Sequence, residues 1–455
     1  MNMRTFLLAV VVTAMTSVSG DAVERPFGSG TGVLDWSVGA NWANGLTPDQ
    51  QGGGGDHGLL GDATADRTVT VSDTTGGANG PDARLNWKQT TAGVVNKIQL
   101  LSDWQPSSCC TSEGYFTNDT GDSNAMVMDL NGNEWRTFGG GTLILPAMTI
   151  QGPGVWEQDR KLDFGTGTTV GAGVTVKNNF GGMNIRPGSV WSPDSTLAVH
   201  TDNIYSGVGA TLGNVNVNHS WGYNGSYTVQ DLTIGVGETN NVWFHGGITA
   251  QLSVQGDFTD PNPTGAYSPA GRFLFNGNSS VQEVSVQRPL TQTIRIADGA
   301  SVQLNHDLDA SGNTATNPHE SLLSGGSSLD LNGNDFSSNR LVMIGPSITW
   351  GVGGAEQSVI NIGADGAHFI ASTDVTIKNL GGGWAGGDLT LFNVDDAATV
   401  QGGFSLGTLT LPNGWSSDGI AIEGKNVVLK NVGVPEPTSL MLLAVGLLGA
   451  WIRRR

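Results

Sequence analysis

Charge is what this sequence has least of. Asp, Glu, Lys and Arg together make up 13% of its 455 residues, against roughly 25% in an ordinary soluble domain. Basic residues are the scarcer kind, 21 against 40 acidic ones, for a formal net charge of −19. A nucleic-acid binder needs a basic footprint and is excluded. The Glu/Lys/Ala-rich stretches that build long helices are missing, which excludes an α-helical enzyme, and no series of long apolar runs supports a polytopic membrane protein. Gly-x-Ser-x-Gly, His-Glu-x-x-His and P-loop motifs are absent. The seven histidines (57, 200, 219, 245, 306, 319 and 368) have no metal-ligand spacing and read as solvated or satisfied strand residues. What is abundant is glycine, 69 residues, about double the usual ~7% share. With 38% hydrophobic residues the chain can still bury a sizeable core, so general disorder is excluded.

The two ends carry address information. Met1-Asn2-Met3-Arg4, an apolar run from Phe6 to Met15 and the small residues Ser17 to Gly20 make a secretory signal peptide over residues 1–20, handled by the Sec translocon. The other end reads Val434-Pro435-Glu436-Pro437-Thr438-Ser439, an apolar stretch Leu440 to Ile452, then Arg453-Arg454-Arg455. The stretch predicts one short hydrophobic helix of roughly 20 Å, below the ~30 Å hydrocarbon core. Trp451 and snorkelling arginines make up part of the deficit. Three terminal arginines favour the cytoplasmic side, and the two prolines hold the approach extended.

This tail resembles the PEP-CTERM sorting signal of exopolysaccharide-producing diderm bacteria, with Pro435, Glu436, Pro437, the helix and Arg453, Arg454, Arg455 in the family's order over residues 434–455. The resemblance implies processing by exosortase, a membrane-embedded cysteine peptidase. It also implies export with transient inner-membrane anchoring, followed by release to the cell surface or extracellular space. The alternative is a plain C-terminal anchor.

Between the ends run short alternating segments such as Val174-Thr175-Val176 and Asn214-Val215-Asn216-Val217, divided by Gly, Asn and Asp. Period-two patterning of this kind predicts half-buried strands and an all-β class. Segments 101–125 and 257–270 show no clean strand. Asp129-Leu130-Asn131-Gly132-Asn133 returns as Asp330-Leu331-Asn332-Gly333-Asn334, and Val174-Thr175-Val176-Lys177-Asn178 as Val375-Thr376-Ile377-Lys378-Asn379. The common offset suggests duplicated halves. The organisation expected is an N-terminal β region (21–124), a first solenoid half (125–325) and a second half (326–433). A right-handed parallel β-helix is favoured, a rod of 20-odd coils on the order of 100 Å long. Tandem β-sandwiches are the alternative, since Asn-Gly pairs such as 131–132, 332–333 and 413–414 are also hairpin signals. Trp36, Asn41-Trp42, Gly45 and Pro48 resemble the leader of secreted, autotransporter-like glycine-rich β-solenoids. The resemblance implies that the aromatics cap the first coil. The rival reading of these aromatics is a platform stacking on sugar rings.

Candidates for chemistry are sparse. Lyases and hydrolases on a β-helix place carboxylates and a basic residue on adjacent coils, and Asp159-Arg160-Lys161 with Asp163, or Asp395-Asp396, come nearest. Neighbours on a strand point to opposite faces, so neither group is a ready pair. Asn118 to Asn124 reads as a solvated turn or as a Ca2+ loop with Asp119, Asp122 and Asn124 as ligands; no other cofactor is expected. Gly52 to Asp56 resembles a calcium-binding nonapeptide only superficially. Cys109 and Cys110, the only cysteines, would form a strained vicinal disulfide in an oxidising compartment, remain free or cross-link to a partner. The function expected is a non-catalytic, exosortase-sorted structural or adhesive protein of the cell surface or exopolysaccharide matrix, with a surface glycan as partner. The alternatives are a β-helix polysaccharide lyase or glycoside hydrolase, and a calcium-dependent carbohydrate-binding module.

Overall fold

In the computed structural model, residues 24–435 are described, except 29, 44–56, 73–83, 105–115, 138–141, 159–160, 180–181, 201–202, 207–208, 219–220, 236–241, 245–250, 266, 268–270, 278–279, 291, 312–319 and 355. The signal peptide, both cysteines, Asp159, Arg160 and Glu436 to Arg455 lie outside the described residues.

Strands stack in parallel, each on the strand one coil earlier, and this decides between the two architectures: the body is a parallel β-helix. Among the described residues the antiparallel strand pairs are confined to Ser347–Gly353 with Glu356–Gln357 and to the C-terminal end. One long face, a sheet of fourteen strands, runs from Glu134–Thr137 to Leu406–Thr410. A second face runs as seven strands from Gly32–Asp35 to Val190–Trp191 and continues as thirteen from Ala210–Thr211 onward. A third face has four strands from Glu24–Pro26 to Phe116–Asn118, then six from Thr142–Leu145 to Val242–Phe244, and among the described residues no strand extends this sheet further. The next coils carry two strands each, until Leu308–Ala310 and Ser321–Leu323 stack side by side on the two ends of Phe336–Ile344 and a second stack reappears beside the first. At ~4.8 Å per level the long face extends about 60 Å. Coil length is uneven, from Val215↔Leu232, a short coil, to Leu232↔Phe258 and Thr376↔Thr410, much longer ones, so this face holds fewer levels than a uniform short coil would give.

Alternation explains the core. On the long face every second residue points inward, and parallel register stacks like on like: Trp135, Trp156, Val176, Leu197, Val215, Leu232 and Phe258 form one buried column. Phe116–Asn118 and Phe258–Asp260 are strands within the segments that lacked a strand pattern. Each is only three residues long and owes its conformation to the strand it stacks on, which local alternation cannot reveal.

The two Asp-Leu-Asn-Gly-Asn phrases make the same turn. Asn131 and Asn332 sit at φ 50° and 51°, followed by Gly132 and Gly333 at 85° and 90°. Two successive left-handed residues are what Asn-Gly supplies most cheaply, and Asn133 Nδ2 and Asn334 Nδ2 each donate to a carbonyl one coil earlier, Leu100 O and Leu304 O. The first phrase turns from the second face to the long face, the second from the long face to the second face.

Both described ends are closed. At the N-terminal end Phe27, Trp36 and Trp42 pack edge to face at 4.7–4.8 Å, with Trp36 continuing to Trp104 at 5.1 Å. Trp36 and Trp42 are 3% and 2% exposed, so their ring faces are spent inside the protein and do not offer a sugar platform. At the other end Gly387–Val394, Asn426–Val432 and Gly419–Glu423 form an antiparallel cap.

Candidate functional site

Four clusters concentrate the molecule's polar chemistry, and the first lies on the long face, three coils deep. Arg136, Glu157 and Lys177 occupy the same register position on successive strands. Arg136 Nε lies 3.0 Å from Glu157 Oε1 and Lys177 Nζ 3.0 Å from Oε2. Asn179 Nδ2 also donates to Oε1, and the Glu157 side chain is only 4% exposed. Glu134, two residues before Arg136, lies within hydrogen-bonding reach of Glu157. Burial and that hydrogen bond push Glu134 above the ordinary carboxylate range. Burial would push Glu157 up as well, but hydrogen bonds from Lys177 and Glu134 and the charges of Lys177 and Arg136 hold it below. Two carboxylates pushed apart beside two cations are the elements of acid–base chemistry. Here the more acidic member is enclosed by three donors, which makes it an anchor between coils.

The pair has a pH signature. Glu134 favours the fold when protonated, a contribution complete at low pH and lost as pH rises through its raised folded value. Glu157 favours it when ionised, a contribution present above the ordinary 4.5 and lost as pH falls through its depressed folded value. Glu134→Gln keeps a donor for Glu157 without the charge. It is expected to raise the melting temperature at neutral pH, with the gain vanishing as pH falls through the raised folded value and Glu134 becomes protonated in the parent. Melting curves of both proteins across that range check it.

A second cluster lies past the last described strand of the third face. Asp260, at the end of Phe258–Asp260, accepts from Arg288 Nε and from Tyr267 Oη on one carboxylate oxygen. On the other it accepts from Asn262 N at 3.1 Å and Asn262 Nδ2 at 2.9 Å. The Arg288 guanidinium lies 4.7 Å from the Tyr267 ring centre. Both ionic side chains have zero exposure. Burial, with the adjacent Asp260 charge, pushes the Tyr267 phenol far up and keeps it a donor. The group fills the corner where the described coils go from three strands to two.

The residues expected to do chemistry are placed otherwise. Asp163 stands on the third face, held by both Arg186 Nε at 2.9 Å and Nη2 at 2.7 Å; Lys161 is exposed. Asp395 Oδ1 accepts from Ala397 N at 2.7 Å, and Asp396 lends its carbonyl to Lys425, so this dyad forms a turn. Asp119, Asp122 and Asn124 lie in the turn between Phe116–Asn118 and Met126–Asp129. There Asp122 Oδ1 accepts from Asn124 N at 2.9 Å and Asn118 Oδ1 from Thr120 N at 3.0 Å. Among the described residues no three His, Cys, Asp or Glu side chains gather as metal ligands. Neither the Glu134–Glu157 group nor the Asp260–Tyr267–Arg288 group was picked out from sequence. The first could have been found by aligning 136, 157 and 177 at the coil period of about 20 residues, with Glu-Trp-Arg and Val-Trp-Glu as the guide.

The third cluster is the C-terminal cap. Trp384 and Trp415 lie 5.5 Å apart at a 33° tilt. They wall a cleft of about 610 Å³ together with Asn379, Gly381, Gly383, Ala385, Val434 and Pro435. The fourth is a smaller polar recess of about 230 Å³ lined by Arg340, Asp365, His368 and Gln401, among others. The last backbone pairing before the tail is Gly433 with Ser416, at 2.9 and 3.0 Å. Pro435, the first proline of the sorting segment, is exposed two residues later.

Residues 433–455 match the family described as the PEP-CTERM protein-sorting motif. A comparison with curated proteins gives no significant match, and neither does one with solved structures. The motif marks the chain as an exported, exosortase-sorted surface protein. Among the described residues no helix is long and apolar enough to cross a membrane.

Proposed function

We propose that this chain is a non-catalytic structural or adhesive component of the cell surface or exopolysaccharide matrix, anchored transiently in the inner membrane by its apolar tail before release. The observation that carries this reading is the outward register of the long face. Beyond the charged Arg136, Glu157 and Lys177 of the same register, Asn216, Thr233, Thr259 and Ser285 follow one another coil by coil, a neutral row of amide and hydroxyl groups at the strand spacing of ~4.8 Å. Such a row offers both donors and acceptors to a polyhydroxyl polymer. Sorting by exosortase delivers it to where such polymers lie.

A second reading, a polysaccharide lyase or glycoside hydrolase, draws on Glu134, Arg136, Glu157 and Lys177, two carboxylates and two cations on adjacent coils. It is weakened by the enclosure of Glu157. A calcium-dependent carbohydrate-binding module would use the Asp119–Asn124 turn, whose side chains already hold backbone groups. The test incubates the chain with neutral and acidic polysaccharides and follows reducing ends and unsaturated products. No turnover is expected. Turnover that disappears in Glu134→Gln or Asp163→Ala would replace the structural reading with the enzymatic one.

A further inference from the structure

The cleft between Trp384 and Trp415 combines features that the structural account does not use. Residues 383–385 link Thr373–Gly381 to Gly387–Val394. Among the described residues the peptide groups of Gly383, Trp384 and Ala385 have no backbone hydrogen-bond partner. The indole N–H groups of Trp384 and Trp415 have no partner there either, although both rings are half-buried. Gly383 and Ala385 are exposed, so water satisfies these groups in the free protein, and a ligand's hydroxyls can take its place. No charged side chain lines the cleft, in a chain whose formal charge is −19. Its volume, about 610 Å³, lies within the ~300–1,000 Å³ of ordinary ligand sites, which pair aromatic walls with a few placed polar groups.

We propose that this cleft binds a neutral saccharide, with a sugar ring laid against the indoles and its hydroxyls bonded to the indole N–H groups and to the peptide groups of 383–385. Three features select that occupant. The unpaired wall presents donors and acceptors together, and a hydroxyl is both; hydrocarbon from a bilayer is neither. The neutral lining gives no counter-charge to an anionic polymer or a phosphate. The chain's own apolar stretch, Leu440 to Ile452, has no side-chain hydroxyl, amide or carboxyl group to pair the wall. The inference deepens the adhesive reading and rests on it for biological use: the end of the rod where the chain leaves for the sorting segment would hold glycan at one defined site, besides the neutral row on the long face.

The test titrates the full chain in detergent with cellohexaose, laminarihexaose and maltohexaose, following tryptophan emission and heat. Alginate and phosphatidylcholine vesicles serve as contrasts, and retention on the corresponding insoluble glucans is measured in parallel. The parent is expected to bind at least one neutral hexasaccharide, with affinity unchanged by a chelator. Trp415→Ala and Trp384→Ala should each weaken it about tenfold or more, the scale of an aromatic contact. Trp415→Phe, which keeps a ring and loses the N–H, should fall between. Melting curves identify any variant whose cap has come apart, and for such a variant the Phe substitution decides. No binding by the parent, or equal binding by the Ala variants, overturns the proposal, as does a response to vesicles or alginate alone. Retention on insoluble glucan that survives in Trp415→Ala would sink this site while leaving the adhesive reading intact; loss of retention by the parent itself would sink both.

Discussion

Replacing Arg288 by Met is expected to destabilise the chain by about 3–5 kcal/mol, the cost of stranding one member of a buried ion pair. Asp260 would keep Tyr267 and Asn262 as donors but lose its only cation, at a position with no access to water. Asp260→Asn should cost a similar amount for the opposite reason, leaving a buried guanidinium. The double variant Asp260→Asn/Arg288→Met removes both charges and is expected to recover most of the loss, since replacing a whole buried pair is often close to neutral. A pH series adds an independent readout. In Arg288→Met the stranded carboxyl must have its folded pKa raised, so stability should be highest in acid and fall as pH rises through that value. Urea unfolding of the four proteins at several pH values checks both statements. A double variant no more stable than the singles would mean that this cluster holds the coil transition by shape rather than by charge.

Trp156→Ala is expected to cost about 3–5 kcal/mol as well, the usual range for emptying a buried aromatic position. Trp156 is fully buried and stacks on Trp135 at 5.1 Å with the rings 1° from parallel. That stack continues through Trp104 and Trp36 to Trp42 at the N-terminal end. Trp156→Phe should cost much less, because the indole N–H has no hydrogen-bond partner among the described residues and its loss relieves an unpaired buried donor. A solenoid couples mainly neighbouring coils. The Ala variant should therefore loosen the N-terminal third first, seen as faster amide exchange on the strands around Glu134–Thr137 and Val174–Asn178. Exchange accelerating uniformly to Leu406–Thr410 would show the rod to be one cooperative unit.

These two sites show where sequence reading stops. Strand class was legible because alternation is local: Val174-Thr175-Val176 states its inward and outward positions by itself. The helix was favoured over the sandwich, correctly, but the alternative stayed open because Asn131-Gly132 and Asn332-Gly333 supply the left-handed turn that a hairpin and a coil corner both need. The buried cluster stayed hidden for a different reason. Asp260, Tyr267 and Arg288 come together where the described coils go from three strands to two, and no short window contains that event. Asp163 was noticed as a carboxylate near Arg160, whereas its partner is Arg186, 23 residues on, one coil away. In a stacked fold a charge finds its partner at the coil period, and that period is set by register. The sorting segment is the opposite case: three parts in order within 22 residues, legible without any fold.

The most direct measurement is the intact mass of the native protein, with both termini mapped, recovered from cells and from culture medium. The account predicts a chain in the medium or matrix fraction that has lost residues 1 to about 20 and ends within Pro435–Thr438, just beyond the last backbone pairing at Gly433. A chain that keeps Arg453–Arg455 and stays in the membrane fraction would contradict it, leaving a simple anchor and no ground for placing this rod in the matrix.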